Sequence, residues 1–155
     1  MARAKTPKFS ETTMTEVVLP NDTNPMGMLQ GGRLVQWMDL ASAICAQTHA
    51  DQICVTYSID SLKFMAAARV GDIITIKAKV TRAFRTSMEI FVQAHSKEVL
   101  TRKKRLINQA FFTFVAINDK ATSIPVPGIK PVTAEEIKEY ENAEKRRNYR
   151  MKDLL

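Results

Sequence analysis

Between residues 30 and 49 the large apolar side chains fall at Leu34, Trp37, Met38, Ala41 and Cys45, the i, i+3, i+4 spacing of one helix face. That spacing predicts a helix from Gln30 to His49. Elsewhere, up to about Pro125, the pattern alternates instead. Met14 to Leu19 reads as a first strand, followed by Pro20-Asn21-Asp22-Thr23-Asn24-Pro25, where Asn, Asp and Pro turn the backbone. Beyond the helix come Gln52 to Ile59 and then, after Gly71-Asp72, a run from Ile73 to Val80 with Ile74, Ile76, Ala78 and Val80 on one side. Ser87 to His95 sets Met88, Ile90, Val92 and Ala94 against Glu89, Phe91 and Gln93, and Arg105 to Ile117 is dense with Phe111, Phe112 and Phe114. Such alternation marks antiparallel strands with one face on a core. One strand, one long buried helix and then four strands give the α+β class, a curved antiparallel sheet wrapped around a central helix.

A carboxylate interrupts the helix. An Asp in an apolar run costs stability unless something pairs with it or uses it. At roughly 100° per residue, Asp39 shares its face with Gly32, Val35, Ser42, Ala43 and Ala46. That face is small rather than polar, so a second helix or a thin ligand can approach the helix axis. The alternatives are an Asp turned to water and a carboxylate with a chemical role, and the small neighbours favour the second. Gly31-Gly32 opens the same helix, where unpaired N–H groups and a partial positive charge gather. Glycine there is either a simple joint or a place where a carbonyl oxygen meets the backbone. At about 1.5 Å rise per residue, Gly31 and Asp39 lie roughly 12 Å apart. A carbonyl held at Gly31 is therefore out of reach of Asp39 on the same helix. If both serve one site, they come from two antiparallel copies, and the protein is at least a dimer.

Composition leaves this picture intact. With 155 residues, 45% hydrophobic and 25% charged, the chain reads as a single globular domain over residues 1–155, its first ten or so residues flexible. Basic residues near the N-terminus have no apolar stretch behind them, and no window approaches the roughly 18 apolar residues of a membrane span. The expected setting is cytoplasmic, with no membrane partner. Cys45 and Cys54 lack CxxC spacing, so they read as buried apolar residues rather than metal ligands or a disulfide. No metal site is expected. His49 and His95 read as structural or solvated, and no GxSxG nucleophile motif is present.

The net charge of +7 points to an acidic partner. Arg102-Lys103-Lys104-Arg105 and the tail residues Lys145, Arg146, Arg147, Arg150 and Lys152 carry much of it. They form either a solvated surface or a phosphate-binding one. Thr133-Ala134-Glu135-Glu136 is a capping box that starts a C-terminal helix over about 133–155, with Ile137 and Tyr140 as tethers. The basic residues are not interleaved with aromatics, and no RNA-binding signature is present, so no specific nucleic-acid partner is expected.

Asp22-Thr23-Asn24, Gly31-Gly32, Trp37-Met38-Asp39, Ser87-Met88-Glu89-Ile90, Ala110 to Val115 and Ile124-Pro125-Val126-Pro127 together resemble the hot-dog-fold acyl-CoA thioesterases, of the bacterial YciA type and the cytosolic acyl-CoA hydrolases of animals. The resemblance runs in order over nearly the whole chain. It implies hydrolysis of fatty or short acyl-CoA, with coenzyme A present as part of substrate and product and no other cofactor. It further implies homodimers, commonly gathered as a trimer of dimers. The family's catalytic Asn and Asp fall on Asn24 and Asp39, the Asp as general base or nucleophile, with the amides of Gly31 and Gly32 as oxyanion donors. Gln30 and Arg33 depart from the side chains relatives often carry there, which bears on the acyl chain. The family places the nucleotide beside Arg85, Thr86 and Ser87. Lys63 and the tail cations Lys145, Arg146 and Arg147 are further candidates for the phosphates. The contrasting reading is a non-catalytic binding module, either a regulator that takes a CoA ligand or a nucleic-acid binder.

Overall fold

The computed structural model describes residues 2–153. In chain order the elements are α1 (Pro7–Ser10), β1 (Thr12–Val17), α2 (Gly31–Ala50), β2 (Ile53–Phe64), β3 (Ile73–Ala83), β4 (Ser87–Lys97), β5 (Lys104–Ile117) and α3 (Ala134–Asp153). The strands form one five-stranded sheet in the order β1-β3-β4-β5-β2, antiparallel throughout. This is the wrapped helix that the α+β, hot-dog resemblance implies. Every residue the periodicity assigned to the inner face of α2, from Leu34 to Cys45, is buried. Opposite them, register lines Val80, Ile90 and Phe112 across β3, β4 and β5, and all three are buried.

The outer face of the sheet is covered too, by α3. Thr133 and Glu136 make the capping box: Glu136 Oε2 accepts from the backbone of Val132 and Thr133, while Thr133 Oγ1 accepts from Glu136 N at 3.1 Å. The helix is held down less by Ile137, which is largely exposed, than by Ala143, which is fully buried, and by arginines. Arg82 stacks on the Tyr140 ring at 4.1 Å, and Arg146 lies over Phe111 at 3.8 Å. Glu89, which alternation turned away from the core, is thereby 0% exposed.

Two expectations need correction. The strand foreseen as ending at Ile59 runs to Phe64, with register shifts between Thr56 and Ser58 and between Asp60 and Lys63. Each shift flips the face, so that Thr56 meets α2, Asp60 meets α3 and Phe64 meets α2 again. Strict alternation is lost there, which is why the run looked shorter. Residues 2–10, part of the stretch expected to be flexible, are tied to the body. Lys5 bonds through its backbone to Gly128 and Lys130, and its ammonium caps the end of α2 by donating to His49 O at 2.7 Å and Asp51 at 2.8 Å.

As an edge strand, β2 exposes Ile53, Val55, Tyr57 and Ile59, a row of apolar side chains beside unpaired backbone groups. Among the described residues no helix is long and apolar enough to cross a membrane.

Candidate active site

Asp39 sits in the third turn of α2, half-buried, with its Oδ1 accepting a hydrogen bond from Thr56 Oγ1 at 2.6 Å. That length belongs to an O–H bond onto a carboxylate. It fixes one oxygen and leaves the other without a donor among the described residues. Thr56 is a functional candidate that sequence reasoning passed over. The contact joins residues from two elements, and nothing in local periodicity points to it.

The start of α2 is a second polar locus. Gln30 is the N-cap residue and makes no side-chain cap; its amide donates instead to Thr23 O at 2.9 Å. Arg33 pairs with Asp22 at 3.1 Å. These two departures from the family pattern thus fasten the preceding turn onto the helix. The N–H groups of the first turn are left uncapped, and Gly32 faces open space. Gly31 lies under the Phe64 ring: a Cβ there would stand 3.0 Å from Phe64 Cε1. Asn24 belongs to this end. Its Oδ1 accepts from Met26 N at 3.0 Å and Met28 N at 3.2 Å, an Asx turn that leaves the amide nitrogen as its remaining donor. Asn24, Gly31 and Gly32 therefore gather at one end of the helix, and Asp39 with Thr56 lies roughly 12 Å further along it. One protomer does not bring them together.

The basic candidates separate. Arg85, Thr86 and Ser87 form the β3–β4 turn. Ser87 is opposite Val115, and Val115 opposite Val55, next to Thr56, so two strand spacings, about 10 Å, separate the turn from the Asp39–Thr56 pair. A cavity of about 700 Å³ beside it is lined by Arg3, Lys5, Phe84, Arg85 and Pro127, and Arg147 reaches the Phe84 ring at 4.7 Å. Lys63 is opposite Gln109, itself opposite Gln93, some 20 Å along the sheet from Ser87. Lys145 lies by Asp60 and Ser61 on the α3 side. Arg146 is committed elsewhere: its guanidinium grips both oxygens of buried Glu89, at 2.8 and 3.1 Å, and reaches Glu139 at 3.3 Å. Its reading as a phosphate ligand gives way to a structural one, because leaving would strand a buried carboxylate.

The remaining reactive side chains stand apart from the site. Burial pushes the Cys45 thiol up to about 12 and the Cys54 thiol to about 11, so neither is a thiolate. His49 is fully buried with Nε2 2.7 Å from Pro127 O, and burial holds it below the ordinary histidine range. No cluster of metal-binding side chains occurs among the described residues.

Comparison with known proteins bears on this geometry. Residues 26–102 match the model of the thioesterase superfamily. The chain is 37% identical to mouse acyl-coenzyme A thioesterase 11 over 94% of its own length, but spans only a quarter of that protein. It superposes on a hexameric acyl-CoA thioesterase with a TM-score of 0.95 at 38% identity, covering 99% of this chain and 98% of the other. It also superposes on an acyl-CoA hydrolase of Staphylococcus aureus, solved with butyryl coenzyme A and coenzyme A, with a TM-score of 0.86 at 33% identity over 97% of this chain and 94% of that one. The staphylococcal enzyme has been solved as well with an Asp, an Asn and a Thr each replaced by Ala.

Proposed function

This chain belongs to the thioesterase superfamily, and on that premise we propose that it hydrolyses acyl-CoA thioesters to a carboxylic acid and coenzyme A. The observation that carries the reading is the Asp39 carboxylate, held by Thr56 on a helix whose uncapped, glycine-lined start supplies oxyanion donors. The three residues replaced in the staphylococcal hydrolase are spaced along that chain as Asn24, Asp39 and Thr56 are along this one. A shared role for this chain's trio follows from that spacing.

In this scheme Asp39 takes a proton from water as the water oxygen bonds to the thioester carbon, or attacks that carbon itself to give an anhydride that water then opens. The carbonyl oxygen gathers charge against the amides of Gly31 and Gly32. The C–S bond breaks: in the general-base route the proton held by Asp39 passes to the leaving sulfur, and in the anhydride route the sulfur leaves as thiolate while the water that opens the anhydride restores the Asp39 carboxylate. Thr56 keeps the carboxylate in one rotamer, and the free amide donor of Asn24 orients water or carbonyl. Because of the 12 Å or so between the two ends of the site, Asp39 comes from one copy and Asn24 with the glycine turn from another. The exposed apolar edge of β2 joins the copies into a dimer, and three dimers make the hexamer. Arg85, Thr86 and Ser87, with Arg147 and Lys145, hold the phosphates of coenzyme A, and Lys63 joins them only from a neighbouring copy.

Release of free thiol from acyl-CoA substrates of graded chain length tests this directly. Wild-type protein should turn over at least part of the series, and Asp39→Asn should lower turnover by about 10²–10⁴-fold with the fold intact. Thr56→Val should cost less, since it positions rather than reacts. Full turnover in a folded Asp39→Asn protein would remove the carboxylate from the mechanism. Tight binding of acyl-CoA with no hydrolysis would favour a non-catalytic CoA-binding module.

A further inference from the structure

Asn108 is fully buried on β5, and neither its Oδ1 nor its Nδ2 has a hydrogen-bond partner among the described residues. A buried amide left this way carries a desolvation cost that something normally offsets. Its position is informative. Register places it opposite Ala94 on β4 and opposite Phe64 on β2. It shares the parity of Ala110, Phe112 and Phe114, so it points to the inner face, towards α2. Directly paired residues on one face have Cβ atoms about 5 Å apart, which makes Asn108 and Phe64 side-chain neighbours across the β2–β5 pair. The Phe64 ring in turn lies over Gly31 at the uncapped start of α2.

Phe64 is 56% exposed and stands at the end of an irregular strand with Ser61 at φ 54°. An exposed side chain of this kind changes rotamer quickly, and glycine at 31 leaves the helix side of its path clear. Movement of the ring would clear the strand side of the helix start, where Phe64 stands between Gly31 and its paired residue Asn108.

We propose that Asn108 is a specificity-determining residue at the end of a Phe64-gated acyl pocket, where its amide hydrogen-bonds an oxygen on the acyl group. This rests on the thioesterase reading above and names its substrate class: short acyl groups that carry a hydroxyl or oxo oxygen a few bonds beyond the thioester. A purely aliphatic chain entering the same space would leave both amide atoms unpaired. Sites built to bond a polar group reject the analogue that lacks it far more strongly than apolar pockets discriminate by size.

The test compares kcat/KM for short acyl-CoAs and for their hydroxy- and oxo-substituted counterparts of equal length. The wild type should favour an oxygenated member over its plain counterpart by about 10-fold or more. Asn108→Leu, close in volume, should erase or invert that ratio, and Phe64→Ala should raise kcat/KM for both while keeping it. A ratio of two substrates on one protein is insensitive to partial loss of folded enzyme. If Asn108→Leu does not fold, Asn108→Thr, which keeps one hydroxyl in smaller volume, should reduce the ratio without inverting it. Efficient hydrolysis with no oxygenated preference in the wild type, or a ratio unchanged in either Asn108 variant, would overturn the inference while leaving the thioesterase reading standing. No hydrolysis of any acyl-CoA would overturn both.

Discussion

Asp39 and His49, on the same helix, show how position decides what a polar side chain does. Asp39 is half-buried and keeps one oxygen open beside a threonine hydroxyl, which suits a reacting group. His49 is sealed in, its Nε2 against Pro127 O and its Nδ1 without a partner among the described residues. Burial disfavours the imidazolium, with the nearby Lys5 ammonium adding to the effect. The folded chain therefore binds this proton less readily than the unfolded chain. The stability gained from the neutral ring is complete above the ordinary histidine pKa of about 6.5 and is lost as pH falls below it. Thermal midpoints measured from pH 7.5 to 5 should decline accordingly. His49→Gln, which keeps a donor for Pro127 but does not titrate, should flatten that decline; an equal slope in wild type and variant would assign it to other groups.

At the scale of elements, α3 is latched by charge rather than by an apolar stripe. Glu89 accepts from Thr81 Oγ1 at 2.7 Å and from Arg146, with Arg150 at 3.5 Å from it and at 3.0 Å from Asp60. Arg146→Ala leaves that buried carboxylate with only the Thr81 hydroxyl and the longer Arg150 contact and should cost about 3 kcal/mol of stability, read by chemical denaturation. Replacing Lys145 and Arg147 together should leave stability nearly unchanged and raise the KM for acyl-CoA, the pattern of uniform binding lost. If Arg146→Ala moved KM without touching stability, it would return to the phosphate-binding set. Regular periodicity makes most of the elements legible in the sequence: it gives α2 to within a residue at each end, and the alternation in β3 and β4 matches their buried faces. Legibility failed where structure depends on partners distant in the chain. The bulged half of β2 has no single alternation to read. Arg146 looks like any other member of a basic run until Glu89 is found beneath it. Thr56 declares itself only through Asp39, and Lys5 only through the end of α2.

For the whole molecule, the proposed hydrolysis of acyl-CoA draws on two copies of the chain. The apolar edge of β2 and the separation of Asn24, Gly31 and Gly32 from Asp39 along α2 both call for a second copy. Neither establishes how the copies share the chemistry. A mixed dimer does. Asn24→Ala and Asp39→Asn are each expected to be impaired as homodimers. In a heterodimer with one mutation per subunit, a cross-subunit site has both defects in one place and neither in the other. Co-expressing the two with different tags, isolating the heterodimer and measuring thiol release should therefore recover about half of the wild-type activity per dimer. A purified heterodimer no more active than its two parents would contradict the shared site.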